Sequence, residues 1–156
     1  MKGEGPAVCV GRDIDTDLII AGRYLRTTER SIWAAHTFED LDPAMAGRLK
    51  GAVIVAGENF GCGSSREQAP VALKMAGVVG IVAPSFARIF FRNAINIGLP
   101  LIEADLRCVD GETVTFDLAE GVVTVGERTI SVTPLSSHMQ AILDAGGLVA
   151  FWKERR

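Results

Sequence analysis

The chain is poor in the side chains that most metal and nucleic-acid sites use. It has two histidines and three cysteines, and aromatic residues make up 6% of it. His36 and His138 are far apart, and neither stands at metal-ligand spacing from a cysteine. Cys9, Cys62 and Cys108 form no C-x-x-C pair, and their odd number argues against a disulfide framework. A metal site built by this chain alone is therefore not expected. A formal net charge of -3 gives no electrostatic reason to expect nucleic acid or an anionic membrane as partner. No apolar run reaches the roughly 20 residues that span a bilayer. The most apolar region, residues 77–91, is interrupted by Pro84, Ser85 and Arg88. The opening, Met1-Lys2-Gly3-Glu4-Gly5-Pro6, lacks an apolar signal region. The default expectation is a soluble, cytoplasmic protein. Its 156 residues suffice for one domain with a real core.

What is present is a regular alternation in the middle of the chain. Residues 7–10 read as a short strand, 11–17 as a polar turn and 22–28 as a loop. Residues 31–37 read as a short helix capped by the polar run before it. Residues 40–51 read as a loop with a turn of helix after Asp42-Pro43. From there the order is strand 52–56, helix 66–76 closed by Gly77, strand 78–83, helix 86–97 closed by Gly98, and strand 99–103. This β-α-β-α-β order predicts an α/β fold with a parallel sheet. Beyond Asp105 come short alternating strands at 113–118, 122–125 and 129–132, with hairpin turns at Glu120-Gly121 and Gly126-Glu127. Residues 135–145 read as a last helix, capped by Ser136 or Ser137. Residues 153–156 read as a solvated tail.

The segment Gly57-Glu58-Asn59-Phe60-Gly61-Cys62-Gly63-Ser64-Ser65-Arg66-Glu67-Gln68 joins the first strand of that alternation to its first helix. Its glycines let the backbone approach a ligand closely. Free N–H groups at a helix N-terminus favour negative charge, so an anion, two hydroxyls and a guanidinium can meet there. The turn is not a Walker A loop, because no Gly-Lys-Ser/Thr occurs. It is not a nucleophile elbow, because G-x-S-x-G is absent. It half-fits a dinucleotide fingerprint: Gly61-Cys62-Gly63 gives G-x-G, but Arg66 stands where the third glycine belongs, and no acidic residue follows about 20 positions on. Ser64 with Glu67, and Ser65 with Gln68, both fit a helix capping box, a structural role worth about 1 kcal/mol.

Asn59 to Glu67, read as NFGCGSSRE, resembles the signature of the aconitase superfamily's swivelling domain. It is similar in particular to the free-standing small subunits of 3-isopropylmalate dehydratases and of the related homoaconitases. Asp13-Ile14-Asp15-Thr16-Asp17 resembles that family's opening segment. Pro84-Ser85-Phe86-Ala87-Arg88-Ile89-Phe90 through Asn93, followed by Gly98-Leu99-Pro100, resembles its second signature. These features run in the family's order over residues 8–103. Gln68 departs from the pattern, since many relatives carry His there.

The resemblance implies a single β/β/α swivelling domain over residues 1–156. It implies a hydro-lyase that isomerises 2-isopropylmalate and 3-isopropylmalate by dehydration and rehydration in leucine biosynthesis, with homoaconitate or 2,3-dimethylmalate as alternative substrates. It further implies a larger partner subunit, in a heterodimer or heterotetramer, that holds a [4Fe–4S] cluster. The active site would lie between the subunits, and this chain alone would be inert. The spacing of its own cysteines does not support a cluster, and Cys62 reads as a small residue in a tight loop.

Carried over by position, the resemblance implies that Ser64 is the catalytic serine and that Ser65 and Arg66 bind substrate. A helix N-terminus is worth about 0.3–1 kcal/mol. One pKa unit costs about 1.4 kcal/mol, so the helix alone cannot make Ser64 a base. Arg66, backbone donors, exclusion of water and partner groups must supply the rest. Arg26 lies where relatives place a substrate-recognition loop. An arginine there suits an extra carboxylate, whereas Leu25 can line an apolar pocket; the plain alternative is an exposed loop arginine. The non-enzymatic alternative for the whole chain is an anion-binding module that uses only the turn and the helix N-terminus. Asp13, Asp15 and Asp17 mimic the start of a calcium loop, but Leu18 stands where glycine should follow and no glutamate closes it. Turn capping is their expected role. Arg88 and Arg92 read as an i, i+4 pair on a partly exposed face, Arg88 and Asn93 as fold markers, and both histidines as satisfied surface or core residues.

Overall fold

A computed structural model describes residues 1–155. Seven strands form one sheet in the order β4-β3-β2-β1-β5-β6-β7. The strands are β1 (Lys2–Cys9), β2 (Val53–Val55), β3 (Gly80–Ala83), β4 (Leu101–Glu103), β5 (Thr113–Asp117), β6 (Val122–Val125) and β7 (Arg128–Ser131). The first four are mutually parallel, and β1, β5, β6 and β7 pair antiparallel. Val53, Ile54 and Val55 are all buried, as are all four residues of β3. Such unbroken apolar runs belong to parallel strands covered on both faces. By contrast β5 and β6 alternate fully buried residues with exposed or half-buried ones, the pattern of strands with one wet face.

The helices α3 (Gln68–Met75) and α4 (Arg88–Asn96) connect β2 to β3 and β3 to β4. They realise the β-α-β-α-β order read from the sequence. Two short helices, α1 (Thr16–Ile19) and α2 (Arg30–Ala35), precede them. A 3-10 turn at Ala46–Arg48 supplies the helical turn expected in residues 40–51. The polar run before α2 does not cap it, since Glu29 makes no side-chain cap. Another 3-10 turn, Gly22–Tyr24, occupies the start of the segment read as plain loop. After the hairpins, α5 (Ser137–Ala145) is capped by the Ser136 hydroxyl, which accepts from the Met139 N–H at 3.1 Å.

Two expectations about the ends are corrected. The first strand begins at Lys2 rather than Ala7, because its glycine-rich half finds a partner elsewhere in the chain. Residues 2–6 pair antiparallel with β5, and residues 7–9 pair parallel with β2. The terminal charged run is not a tail: Lys153 and Glu154 close a sixth helix, α6 (Leu148–Glu154). Phe151 drives it, being buried with His138 edge-on to its ring and Arg155 over it. Arg156, the last residue of that run, lies outside the described residues.

β1 can bridge the two halves because it is nearly bare. A Cβ on Gly3 would stand 2.3 Å from the ring of Phe116, which is fully buried. A Cβ on Gly5 would stand 2.1 Å from the Gly51 carbonyl oxygen, a backbone atom that cannot rotate away. Gly5→Ala is therefore expected to lower stability by about 1–3 kcal/mol, the usual cost of overpacking, read as a lower urea midpoint at unchanged m-value. A midpoint equal to the parent's would show that β1 and Gly51 separate freely.

Candidate active site

Three segments meet at the glycine-rich turn, and backbone hydrogen bonds stitch them together. On one side lie residues 11–17. The N–H groups of Gly57 and Gly61 donate to the carbonyls of Gly11 and Ile14, at 3.0 and 2.8 Å. In return the N–H groups of Asp13 and Thr16 donate to Glu58 and Cys62 carbonyls, at 2.8 and 2.9 Å. The Thr16 hydroxyl donates to the Ser64 carbonyl at 2.6 Å. On the other side lie residues 84–87. Phe60 N–H donates to the Ser85 carbonyl, Ala87 N–H to the Phe60 carbonyl, and Asn59 N–H to the Ser85 hydroxyl. Gly61 and Gly63 take φ values of +84° and +88°, which glycine adopts without steric cost.

Of the three aspartates expected to cap turns, Asp15 does so, while Asp13 and Asp17 brace the junction through side-chain partners. Asp15 caps α1 by accepting from the Asp17 N–H at 2.8 Å. Asp13 accepts from the Asn59 amide at 3.0 Å and from Arg12 at 3.1 Å. These donors hold its carboxyl below the usual range, Asn59 first and Arg12 next. Asp17 pairs with Arg66 at 3.2 Å. Cys62 bridges to Asp15 through the backbone. Burial, and then the Asp15 and Asp13 carboxylates, push its thiol up, so it stays protonated and fits the role of a small loop residue.

A cleft of about 420 Å³ opens beside the turn, lined by Thr16, Gly61, Gly63, Ser65, Arg66 and the first turns of α4. Ser65 and Arg66 thus reach it directly. Ser64 is the exposed neighbour of Ser65 and is not among the lining residues. The helix-capping reading of the serines is corrected. Helix α3 starts at Gln68, and Glu67, in the cap position, makes no side-chain cap bond. Neither capping box forms, because the turn runs on two residues further, with the Ser64 carbonyl held by Thr16. No hydrogen bond engages either serine hydroxyl among the described residues. The helix N-terminus that faces the cleft is that of α4, through Ala87, Arg88, Ile89 and Phe90.

Arg88 and Arg92 are exposed, in keeping with a pair on a partly exposed face, but with Asn93 they also line the cleft, a role that reading did not give them. Their i, i+4 spacing behind the second signature was the available signal. Arg26 is exposed and does not line the cleft. Its loop is anchored around it. The Tyr24 hydroxyl donates to Glu39 at 2.5 Å, Arg23 pairs with Glu39 and Asp40, and the Trp33 indole donates to the Tyr24 carbonyl. These bonds, with the His36 contact, hold the Glu39 carboxyl down to about 2. Leu25 packs against the core, while Arg26 has no ion pair among the described residues. Gly22, which opens the same loop, lies against the Arg66 guanidinium, 3.3 Å from where its Cβ would be. His36 is occupied, stacked on Tyr24 and bonded to Glu39.

The cysteines do not converge. Cys9 and Cys108 are neighbours with sulfurs 3.7 Å apart, whereas Cys62 sits in the turn. The described residues hold no group of three or more potential metal-ligating side chains, so the three thiols do not suit an iron–sulfur cluster. No helix of the described residues is long and apolar enough to cross a membrane.

The aconitase C-terminal domain family matches this chain over residues 13–105. The chain is 52% identical to the 3-isopropylmalate dehydratase small subunit of Moorella thermoacetica, covering 95% of this chain and 93% of that protein. It is 54% identical to the methanogen homoaconitase small subunit of Methanothermobacter thermautotrophicus, covering 89% and 84%. The crystal structure of a 3-isopropylmalate dehydratase from Methanocaldococcus jannaschii superposes with a TM-score of 0.94 at 46% identity, covering 99% of this chain and 95% of that one.

The depressed Asp13 carboxyl ties the junction to pH. A carboxyl lowered in the folded state stabilises the fold above its unfolded pKa and loses that contribution as pH falls through the folded value. Asn59→Gly keeps the positive φ of 62° open while removing the amide donor. It is expected to raise the Asp13 pKa toward the ordinary carboxylate value in an NMR titration of its carboxyl carbon. An unchanged titration would show that Arg12 alone holds the charge.

Proposed function

We propose that this chain, which belongs to the aconitase C-terminal domain family, is the small subunit of a hydro-lyase that isomerises 2-isopropylmalate and 3-isopropylmalate in leucine biosynthesis. The observation that carries the reading is a pair of serine hydroxyls that cap no helix: Ser65, which lines the cleft with Arg66, and its exposed neighbour Ser64. A capping serine spends its oxygen on a backbone amide. These two keep theirs for a ligand.

Each residue then takes a role that its surroundings permit. Ser64 removes the proton from the carbon next to a carboxylate and returns one in the reverse direction. Arg66 grips a substrate carboxylate bidentately, taking over from Asp17, its partner at 3.2 Å in the free chain. Ser65 adds a hydroxyl to the same carboxylate. Arg88 and Arg92, with the N-terminus of α4, give the cleft a positive field. That field favours a dianionic substrate and the alkoxide form of serine. Water must be excluded for it to act at full strength, and the open cleft needs a lid. A larger partner subunit would supply both the lid and a [4Fe–4S] cluster, whose Lewis acidity serves the departing hydroxyl.

A second reading is favoured by one observation. Arg26 stands exposed and unpaired among the described residues while Leu25 is turned to the core. A free guanidinium in that loop suits a third carboxylate, as in homoaconitate.

Two measurements decide these points, both on the anaerobically reconstituted complex with its larger partner. Ser64→Ala is expected to lower kcat by about 10³-fold with assembly intact. Turnover within tenfold of the parent would remove Ser64 as the base. A parent complex that binds dicarboxylates without turning them over would favour the anion-binding module. Arg26→Val is expected to shift the kcat/KM ratio toward isopropylmalate and away from homoaconitate by about 10- to 100-fold if the arginine meets a carboxylate. An unchanged ratio would remove it from recognition.

A further inference from the structure

Cys9 closes β1, and Cys108 lies in the connection from β4 to β5, on the opposite wall of a second groove. Their sulfurs are 3.7 Å apart. Both line this groove of about 310 Å³, with Val10, Gly57, Pro84 and Arg107 among its other walls. Both thiols are half-buried rather than sealed, so a small solute can reach them. The two segments are already aligned by other bonds. Ala7 N–H donates to the Glu112 carbonyl at 2.7 Å and Gly111 N–H to the Ala7 carbonyl at 2.8 Å. Cys9 N–H donates to the Asp110 carboxylate at 2.7 Å, and Asp110 pairs with Arg48.

We propose that Cys9 and Cys108 are a reversible redox modification site, which a peroxide converts to an intramolecular disulfide. The sulfurs must approach to the roughly 2.05 Å of an S–S bond, a movement that side-chain rotation can supply between segments already in register. The steps balance with hydrogen peroxide as oxidant. The Cys108 thiolate attacks one peroxide oxygen, the O–O bond breaks, and water leaves with the thiol proton. The Cys9 sulfur then attacks the resulting sulfenic sulfur. The S–O bond breaks, the disulfide forms, and a second water carries off the Cys9 proton. Two electrons pass from the thiols to the peroxide.

The order of attack follows from the surroundings. Burial, then the bond to Cys108, then the Asp110 and Glu112 carboxylates push the Cys9 thiol up to about 12. Burial also raises Cys108, but the Cys9 S–H and Arg128 favour its thiolate. Cys108 is therefore the attacking sulfur and Cys9 the resolving one. Both thiols are pushed up, so the thiolate is a minor form at neutral pH and oxidation by peroxide, like disulfide exchange, speeds up as pH rises. The bond would close a loop between positions 99 residues apart, a constraint that falls mainly on the unfolded chain. The site is independent of the proposed catalytic role.

The test treats the full chain with hydrogen peroxide and then alkylates it. Alkylatable thiols should fall from three, all free in the reduced chain, to Cys62 alone. Peptide mapping should find Cys9 joined to Cys108, and dithiothreitol should restore both. The oxidised chain should melt roughly 5–15 °C higher than the reduced one, a shift that Cys108→Ser abolishes. Overoxidised Cys108 without a cross-link, a bond to Cys62 or disulfide-linked dimers would overturn the proposal.

Discussion

The site depends on one steric fact: the turn at residues 57–66 passes between two neighbours that leave no room for a side chain. A Cβ on Gly61 would lie 2.3 Å from the ring of Phe90, and one on Gly63 2.2 Å from the Asp15 carboxylate. Only bare backbone lets residues 11–17 and 84–87 close on the turn from both sides. Once closed, every nearby aspartate is committed. Asp13 holds Asn59, Asp15 caps α1 and Asp17 holds Arg66. The serine hydroxyls are the groups left over, and the proposed chemistry falls to them.

This assignment also settles an apparent conflict of charge. The chain is net negative, yet its proposed substrates carry two or three carboxylates. The cleft answers with Arg66, Arg88 and Arg92 on its walls, while the nearby acids are already engaged. Local field, not net charge, decides what a cleft attracts.

Much of this was legible in the sequence. Residues 52–103 alternate between apolar runs and helices closed by glycine, and the structure follows that order. Val122–Val125 was placed to the residue because alternation and turn glycines agree there. What stayed hidden was tertiary. Gly3, Gly5 and Pro6 argue locally against a strand, and only Phe116 and β5 make one of them. The charges of Lys153 and Glu154 masked a helix that a single buried Phe151 holds down. The serine–glutamate spacing at 64–67 promised a cap, but the Thr16 hydroxyl claims the Ser64 carbonyl and delays α3. Arg88 and Arg92 are surface residues as read, but that they face a cleft walled by Gly61, Gly63 and Arg66 was not visible in their spacing alone.

The double allegiance of β1 shapes how the chain reaches this state. Its parallel partner pairs Ala7 with Val53, but its antiparallel partner pairs Lys2 with Asp117. The centre of the sheet therefore closes only when residue 2 meets residue 117, a long loop whose entropy is lost before the contacts repay it. During synthesis β1 emerges before β5, so its edge toward β5 stays unpaired until β5 has left the ribosome. Glycines and a proline make that waiting segment a poor template for stray strands. The bareness that lets β1 fit the finished core thus also shields the chain while it is unfinished.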